Sequence, residues 1–205
     1  MSEISEKISK ERSLVVIKHD GVQRGLIGEI THRYERTGLK LIGIKMLVPS
    51  PELAEKHYLI DPEWPMKVGT KTIKAYENQG KTPPSDDPLK VADVVLGYLK
   101  KYLSTGPVVA MVWQGSCAVG IIRKIAGATE PLTSDVGTIR GDLTIDSYEL
   151  ADVNNRAVRN LLHASTSPEE AEKEIALWFK PEELIDYRII NEAMLYDVNL
   201  DGILE

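Results

Sequence analysis

Asn160-Leu161-Leu162-His163-Ala164-Ser165-Thr166-Ser167-Pro168-Glu169-Glu170 is where the chain changes its period. An apolar, strand-like run over 157–162 ends on one histidine, and a helix start follows at once. Ser167 is a good N-cap, Pro168 suits the first helical position, and Glu170 completes an S-x-x-E capping box. Ala171, Ile175 and Trp178 then recur at i, i+4 and i+7, which predicts a short amphipathic helix. A histidine just ahead of a helix N-terminus lies near unpaired N–H groups and a positive dipole end, a setting that suits a bound phosphate. Taken alone, such a histidine is read more simply as a core or surface residue that happens to precede a cap.

Three further runs read as strands. Residues 13–18 are β-branched and end on Lys18, residues 39–48 follow Gly38, and residues 108–113 follow Gly106-Pro107. Residues 19–25 read as a polar, glycine-bearing turn. Ile27, Ile30 and Tyr34 share one helix face, with Gly38 as the stop. Ser50-Pro51 opens another helix that runs to His57-Tyr58. Residues 91–103 read as a helix with Val91, Val94, Val95, Tyr98 and Tyr102 on one side, and residues 116–125 as one stopped by Gly127. Two stretches, about 59–90 and 146–156, read as surface excursions, the first with a helix-capable middle over 67–76; excursions of such length are usually functional or mobile. The order β-α-β-α-α-β-α-β-α, with short connections, predicts a single α+β domain over 1–205. Its expected form is a ferredoxin-like α/β sandwich, an antiparallel four-stranded sheet with helices packed on it.

Composition narrows the function. A formal net charge of -6 argues against general affinity for nucleic acid or anionic membrane, while leaving room for a small cationic pocket. The one cysteine, Cys117, permits no internal disulfide and reads as a small buried hydrophobe. The first residues are charged, residues 1–11 read as a frayed polar leader, and no run approaches membrane-spanning length. A soluble cytoplasmic protein is expected.

Lys18, Arg123 and Arg140 each fall at an element end or in a loop, and Thr129 and Thr138 share those loops. Singly, each reads as a solvated charge or a turn former; Lys18 either escapes to solvent or is held to meet an anion. With a histidine they form the parts list of phosphoryl transfer: a nucleophile, cations for phosphate oxygens, and hydroxyl donors. No G-x-x-x-x-G-K-[ST] loop and no kinase-type glycine loop is present, so those two phosphate cradles are excluded.

Five blocks in order then carry a resemblance. Lys18-His19-Asp20-Gly21-Val22-Gln23-Arg24-Gly25, Ser104-Thr105-Gly106-Pro107 with the strand after it, Gly137-Thr138-Ile139-Arg140-Gly141-Asp142, Asn160-Leu161-Leu162-His163-Ala164-Ser165, and residues 172–184 resemble the nucleoside diphosphate kinases. The resemblance implies that His163 is the nucleophile that becomes phosphohistidine, in a ping-pong transfer from a nucleoside triphosphate such as ATP to a different diphosphate. It implies phosphate binding by Lys18, Arg123 and Arg140 with Thr129 beside them, and support of the site by Tyr58. Asn160 meets the sugar 3′-hydroxyl, Glu174 orients the imidazole, Ser165 supports that carboxylate, and Leu99 lies near the base. Mg²⁺ arrives mainly on the nucleotide phosphates, so no residue is assigned to a metal. The loop near Pro131 implies a homo-oligomer, a hexamer before a tetramer or dimer. His19, Ala164 and Thr166 depart from the family's usual proline, glycine and aspartate. Its base-stacking phenylalanine is missing, with Trp64 as the candidate substitute.

Regular strand alternation puts Asn160 and His163 on opposite faces, so either the strand ends before His163 or its backbone bends there. Two rival classes remain: a nucleotide-binding protein of the same fold without transferase activity, and a sheet-based RNA-binding module. The latter wants exposed aromatics and a basic face, against which stand the single Phe179 and the acidic balance.

Overall fold

The four apolar runs pair as one antiparallel sheet in the order β2-β3-β1-β4. The strands are β1 (Arg12–Ile17), β2 (Lys40–Leu47), β3 (Val108–Gln114) and β4 (Leu162–Ala164). A computed structural model describes residues 10–196 of the chain. The leader expected over 1–11 therefore lies, up to residue 9, outside the described residues. Its end is not frayed: the Glu11 carboxylate accepts the Val119 N–H at 2.9 Å.

The helices are α1 (His19–Gln23), α2 (Ile27–Glu35), α3 (Pro51–Tyr58), α4 (Trp64–Asn78), α5 (Pro88–Ser104), α6 (Ala118–Ala126), α7 (Ile139–Leu143), α8 (Tyr148–Val153), α9 (Pro168–Trp178) and α10 (Asn191–Tyr196). Strand alternation splits the core in two. Val15, Ile17, Met111 and Trp113 pack on α2 and α6 through Ile30, Tyr34 and Ile122. Leu14, Val16, Ala110 and Val112 pack on α3, α5 and α9 through Ala54, Leu103, Ile175 and Trp178. This is the ferredoxin-like α+β sandwich expected.

The differences from expectation are local. Residues 19–25 are not only a turn, because α1 fills His19–Gln23; five residues are too few for a 3.6-residue period to show. The strand ending on the histidine is shorter and later than 157–162, and His163 is its middle residue. Of the stripe read on α5, Val91 and Tyr102 are buried, Val95 and Tyr98 are half-buried and Val94 is exposed, while Ala92 and Leu103 join the buried face. α5 packs against both α4 and α3, which turns its buried face. Cys117 is exposed, not buried, because it enters α6 with φ 52, a left-handed conformation. Ser167 caps α9 by accepting the Glu170 N–H at 3.1 Å. The return bond of the box goes one residue further than expected, from the Thr166 N–H to the Glu170 carboxylate at 3.1 Å.

The first excursion forms the α4–α5 hairpin. Its crossing needs a glycine: a Cβ on Gly69 would lie 1.9 Å from the Pro88 carbonyl oxygen. The second excursion forms α8 and touches the first through Lys81 to Glu149 at 4.0 Å, and Tyr98 Oη on α5 lies 3.5 Å from Asn155 Oδ1.

Candidate active site

Strand pairing brings the parts together. Val16 faces His163 across the β1–β4 pair, on the sheet face covered by α3 and α9. Lys18 lies two residues beyond Val16 along the same strand direction, and so returns to that face. Its ammonium is buried, donates to Asn160 Oδ1 at 2.7 Å and lies 4.8 Å from the centre of the Tyr102 ring. Of the two meanings open to Lys18, escape to solvent is therefore the wrong one.

Between Asn160 and His163 the backbone bends. Leu161 has φ 68, and the Leu162 N–H reaches back to the Asn160 carbonyl at 2.8 Å, a γ-turn. Such a conformation at a branched residue costs about 1–3 kcal/mol. Full burial of the Leu161 side chain contributes about as much in the other direction. Polar partners do the rest. The Leu161 carbonyl accepts the Lys18 N–H at 2.7 Å, and its own N–H donates to Asp20 Oδ2 at 3.2 Å. Arg140 donates to the Asn160 and Leu162 carbonyls at 3.1 and 2.7 Å. The same guanidinium also donates to the Gly127 and Ala128 carbonyls, so four of its five N–H donors hold backbone. This bend, which alternation alone left undecided, is what allows Asn160 and His163 to serve one site.

The helix that begins at Ser167 carries the orienting carboxylate inward. Glu174 Oε1 is 2.7 Å from His163 Nε2, and Glu174 Oε2 accepts the Ser165 hydroxyl at 2.6 Å. Ser165 Oγ in turn accepts the Leu14 N–H at 3.0 Å. A carboxylate facing Nε2 places the ring proton there and leaves the Nδ1 lone pair free. Burial, Lys18, Arg140 and Arg123 together push His163 down to about 3, so the ring is neutral at physiological pH. Burial raises Glu174, opposed by His57 and by the Ser165 hydroxyl. Chemically, a neutral imidazole beside buried cations can take a phosphoryl group.

Burial, then Arg140, lower Lys18 to about 7, with Asp20 opposing. Free Lys18 is thus partly neutral just above pH 7, and phosphate oxygens favour its ammonium. Nucleotide binding near pH 8 is expected to take up close to one proton, and affinity to weaken as pH rises above 7. Titration calorimetry in buffers of different ionisation enthalpy measures this directly; binding with no proton uptake contradicts it.

The expected residues are distributed as follows. His163, Lys18, Asn160, Arg140, Glu174 and Ser165 meet in one network. Asn160 Nδ2 donates to the Thr129 carbonyl at 2.8 Å, while the rest of Thr129 is exposed. Arg123 is exposed in the last turn of α6, within electrostatic reach of His163. Tyr58 is close to Glu174, its hydroxyl buried without a hydrogen-bond partner and its pKa raised by burial and by that carboxylate. Trp64 lies with its ring centre 6.1 Å from that of Tyr58. Leu99 is half-buried on α5.

Four residues of this network were not assigned from the sequence. Asp20 joins the Leu161 N–H to the Tyr102 hydroxyl, which donates to it at 2.7 Å. The same Tyr102 oxygen accepts the Asn160 N–H at 3.1 Å. His57 stands edge-to-face with His163, ring centres 4.3 Å apart, and Trp178 donates to it. Asp20 lies inside a block already singled out; Tyr102 and Trp178 were counted as apolar helix-face residues, which their rings also are.

The scaffold and this histidine-centred network define a class: a ferredoxin-like α+β protein with an imidazole set among cations. The family model described as "Nucleoside diphosphate kinase" matches residues 11–66 and 92–184. The nucleoside diphosphate kinase of Pyrobaculum aerophilum is 46% identical over 180 residues, covering 86% of this chain and 98% of that protein. A crystal structure of an NDP kinase from Pyrobaculum aerophilum superposes with a TM-score of 0.83 at 44% identity, over 86% of this chain and all of that one. A nucleoside-diphosphate kinase from Borrelia burgdorferi, solved as a transition-state mimic with vanadate and ADP, gives 0.73 at 33% identity, over 89% of this chain and 95% of that one. The chain belongs to the nucleoside diphosphate kinase family. Most of the α4–α5 hairpin falls between the two matched segments.

Proposed function

We propose that this protein moves the γ-phosphoryl group of a nucleoside triphosphate to a different nucleoside diphosphate through a phosphohistidine at His163. In the first half, Nδ1 attacks Pγ and the bond from Pγ to the bridging oxygen breaks, so the diphosphate leaves. The second half runs the same step in reverse with another diphosphate. No proton leaves Nδ1, and the other proton stays on Nε2, donated to the Glu174 carboxylate, which stabilises the charge that the ring gains. Lys18, Arg123 and the remaining N–H of Arg140 meet the transferring oxygens; removing one such donor typically costs about 3–4 kcal/mol of transition-state stabilisation. Asn160 takes the sugar hydroxyl, Tyr58 supports the site, and Leu99 with Trp64 flanks the base. The observation that carries this reading is the 2.7 Å contact between His163 Nε2 and Glu174, with Lys18 and Arg140 beside the same ring.

Mg²⁺ fits as a passenger on the nucleotide. The cluster His57, His163 and Glu174 has metal-ligand spacing but offers two nitrogens and one occupied carboxylate, a poor set for a cation that prefers oxygen. Carried on the phosphates, Mg²⁺ would neutralise part of their charge beside Lys18, Arg123 and Arg140. We also read the protein as a cytoplasmic homohexamer, with a six-chain mass expected from light scattering. Exposed apolar side chains around Pro131 support this: Leu132 at 71%, Val136 at 94% and Ile145 at 96% accessibility. Among the described residues no helix is long and apolar enough to cross a membrane.

A pulse of γ-labelled ATP with Mg²⁺ is expected to leave an acid-labile, base-stable label on the protein. A chase with a different diphosphate should move that label to the acceptor. A chain that takes up no label contradicts the transferase reading and favours the inactive nucleotide-binding alternative.

A further inference from the structure

His57 and Trp178 form an aromatic pair beside His163, with ring centres 5.6 Å apart. His57, at the end of α3, is buried. Its Nδ1 lies 3.3 Å from the Trp178 indole N–H and 3.8 Å from Glu174 Oε1, the same oxygen that holds His163. An indole nitrogen only donates, so Nδ1 of His57 is the acceptor, and the proton of this neutral ring sits on Nε2, which is buried with no hydrogen-bond partner among the described residues. Were the proton on Nδ1, a small rotation would turn it onto Glu174, and two imidazoles would compete for one carboxylate oxygen.

We propose that Trp178 is a positioning residue: its indole N–H locks His57 in the Nε2–H tautomer and thereby reserves Glu174 for His163. The inference rests on His163 being the nucleophile. Trp178 lies one turn beyond Glu174 on α9, so one rigid helix carries both the orienting carboxylate and the group that keeps its competitor silent. Burial, His163 and Lys18 hold His57 down at about 3, against the pull of Glu174, so the ring does not escape the choice by becoming doubly protonated.

The test uses the full chain. Trp178→Phe keeps an aromatic ring and removes the N–H. Phosphoenzyme formation from Mg·ATP is expected to slow by roughly 10- to 100-fold, as for a misplaced reacting group, with ADP affinity unchanged. His57→Phe added to Trp178→Phe removes the competitor and should return the rate to about the wild-type value. Nitrogen NMR of wild-type imidazoles should show His57 protonated on Nε2, and on Nδ1 in Trp178→Phe. A wild-type rate in Trp178→Phe, a double variant as slow as the single one, or a wild-type His57 protonated on Nδ1 each overturns the inference. If Trp178→Phe does not fold, the wild-type tautomer decides. A label that lands elsewhere than His163 in the wild-type protein instead defeats the reading of the site, before any variant is made.

Discussion

His163→Ala is expected to fold, to bind nucleotide, and to take up no phosphoryl label. Turnover should fall by at least roughly 10⁴-fold, because the covalent route ends with its nucleophile and only binding and electrostatic assistance remain. The substitution also strands the Glu174 oxygen that faces Nε2 in a nearly closed site. A loss of about 1–3 kcal/mol in stability is expected from that unpaired acceptor. His163→Asn offers a shorter donor to the same carboxylate. It should recover part of the stability and none of the label. Pulse labelling and thermal melts of both variants check this; labelled His163→Ala would place the nucleophile elsewhere.

Arg140→Ala is the second large effect, and it falls on stability as well as rate. The guanidinium holds four carbonyls, from Asn160, Gly127, Ala128 and Leu162, and two of them bracket the bend at Leu161. Without it those oxygens lose a charge-assisted donor in a buried setting, at an expected cost of about 3–5 kcal/mol. For a chain of this length that corresponds to a fall in Tm of about 10 °C. Arg140→Lys keeps a charge but cannot span four acceptors, so most of the loss should persist. A Tm equal to the wild type with weakened nucleotide binding would mean that Arg140 serves phosphate alone.

The scaffold was legible in the sequence because strands and longer helices announce themselves by apolar run or by period. Leu14-Val15-Val16-Ile17 shows as a short apolar run, and Ile30 and Tyr34 share a helix face. The residues that the fold gathers around His163 were singled out through ordered blocks, of which the lone histidine is the weakest part. The bend at Leu161 was not, since nothing in Asn-Leu-Leu-His marks a left-handed leucine. Its cause lies far along the chain, in Asp20, Lys18 and Arg140. The same holds for His57 and Trp178, whose roles come from a contact between residues 121 apart. Short helices such as α1 and α7 escaped because five residues span little more than one turn. Cys117 misled because composition rewards burial, whereas its backbone conformation turns it outward.

The central claim is that Glu174 occupies one ring nitrogen so that the other reacts. Nitrogen–phosphorus coupling in phosphoenzyme carrying ¹⁵N-labelled histidine measures it most directly. Phosphorus bonded to Nδ1 of His163, with a proton on Nε2, is the predicted result; phosphorus on Nε2, or on any other residue, contradicts the account.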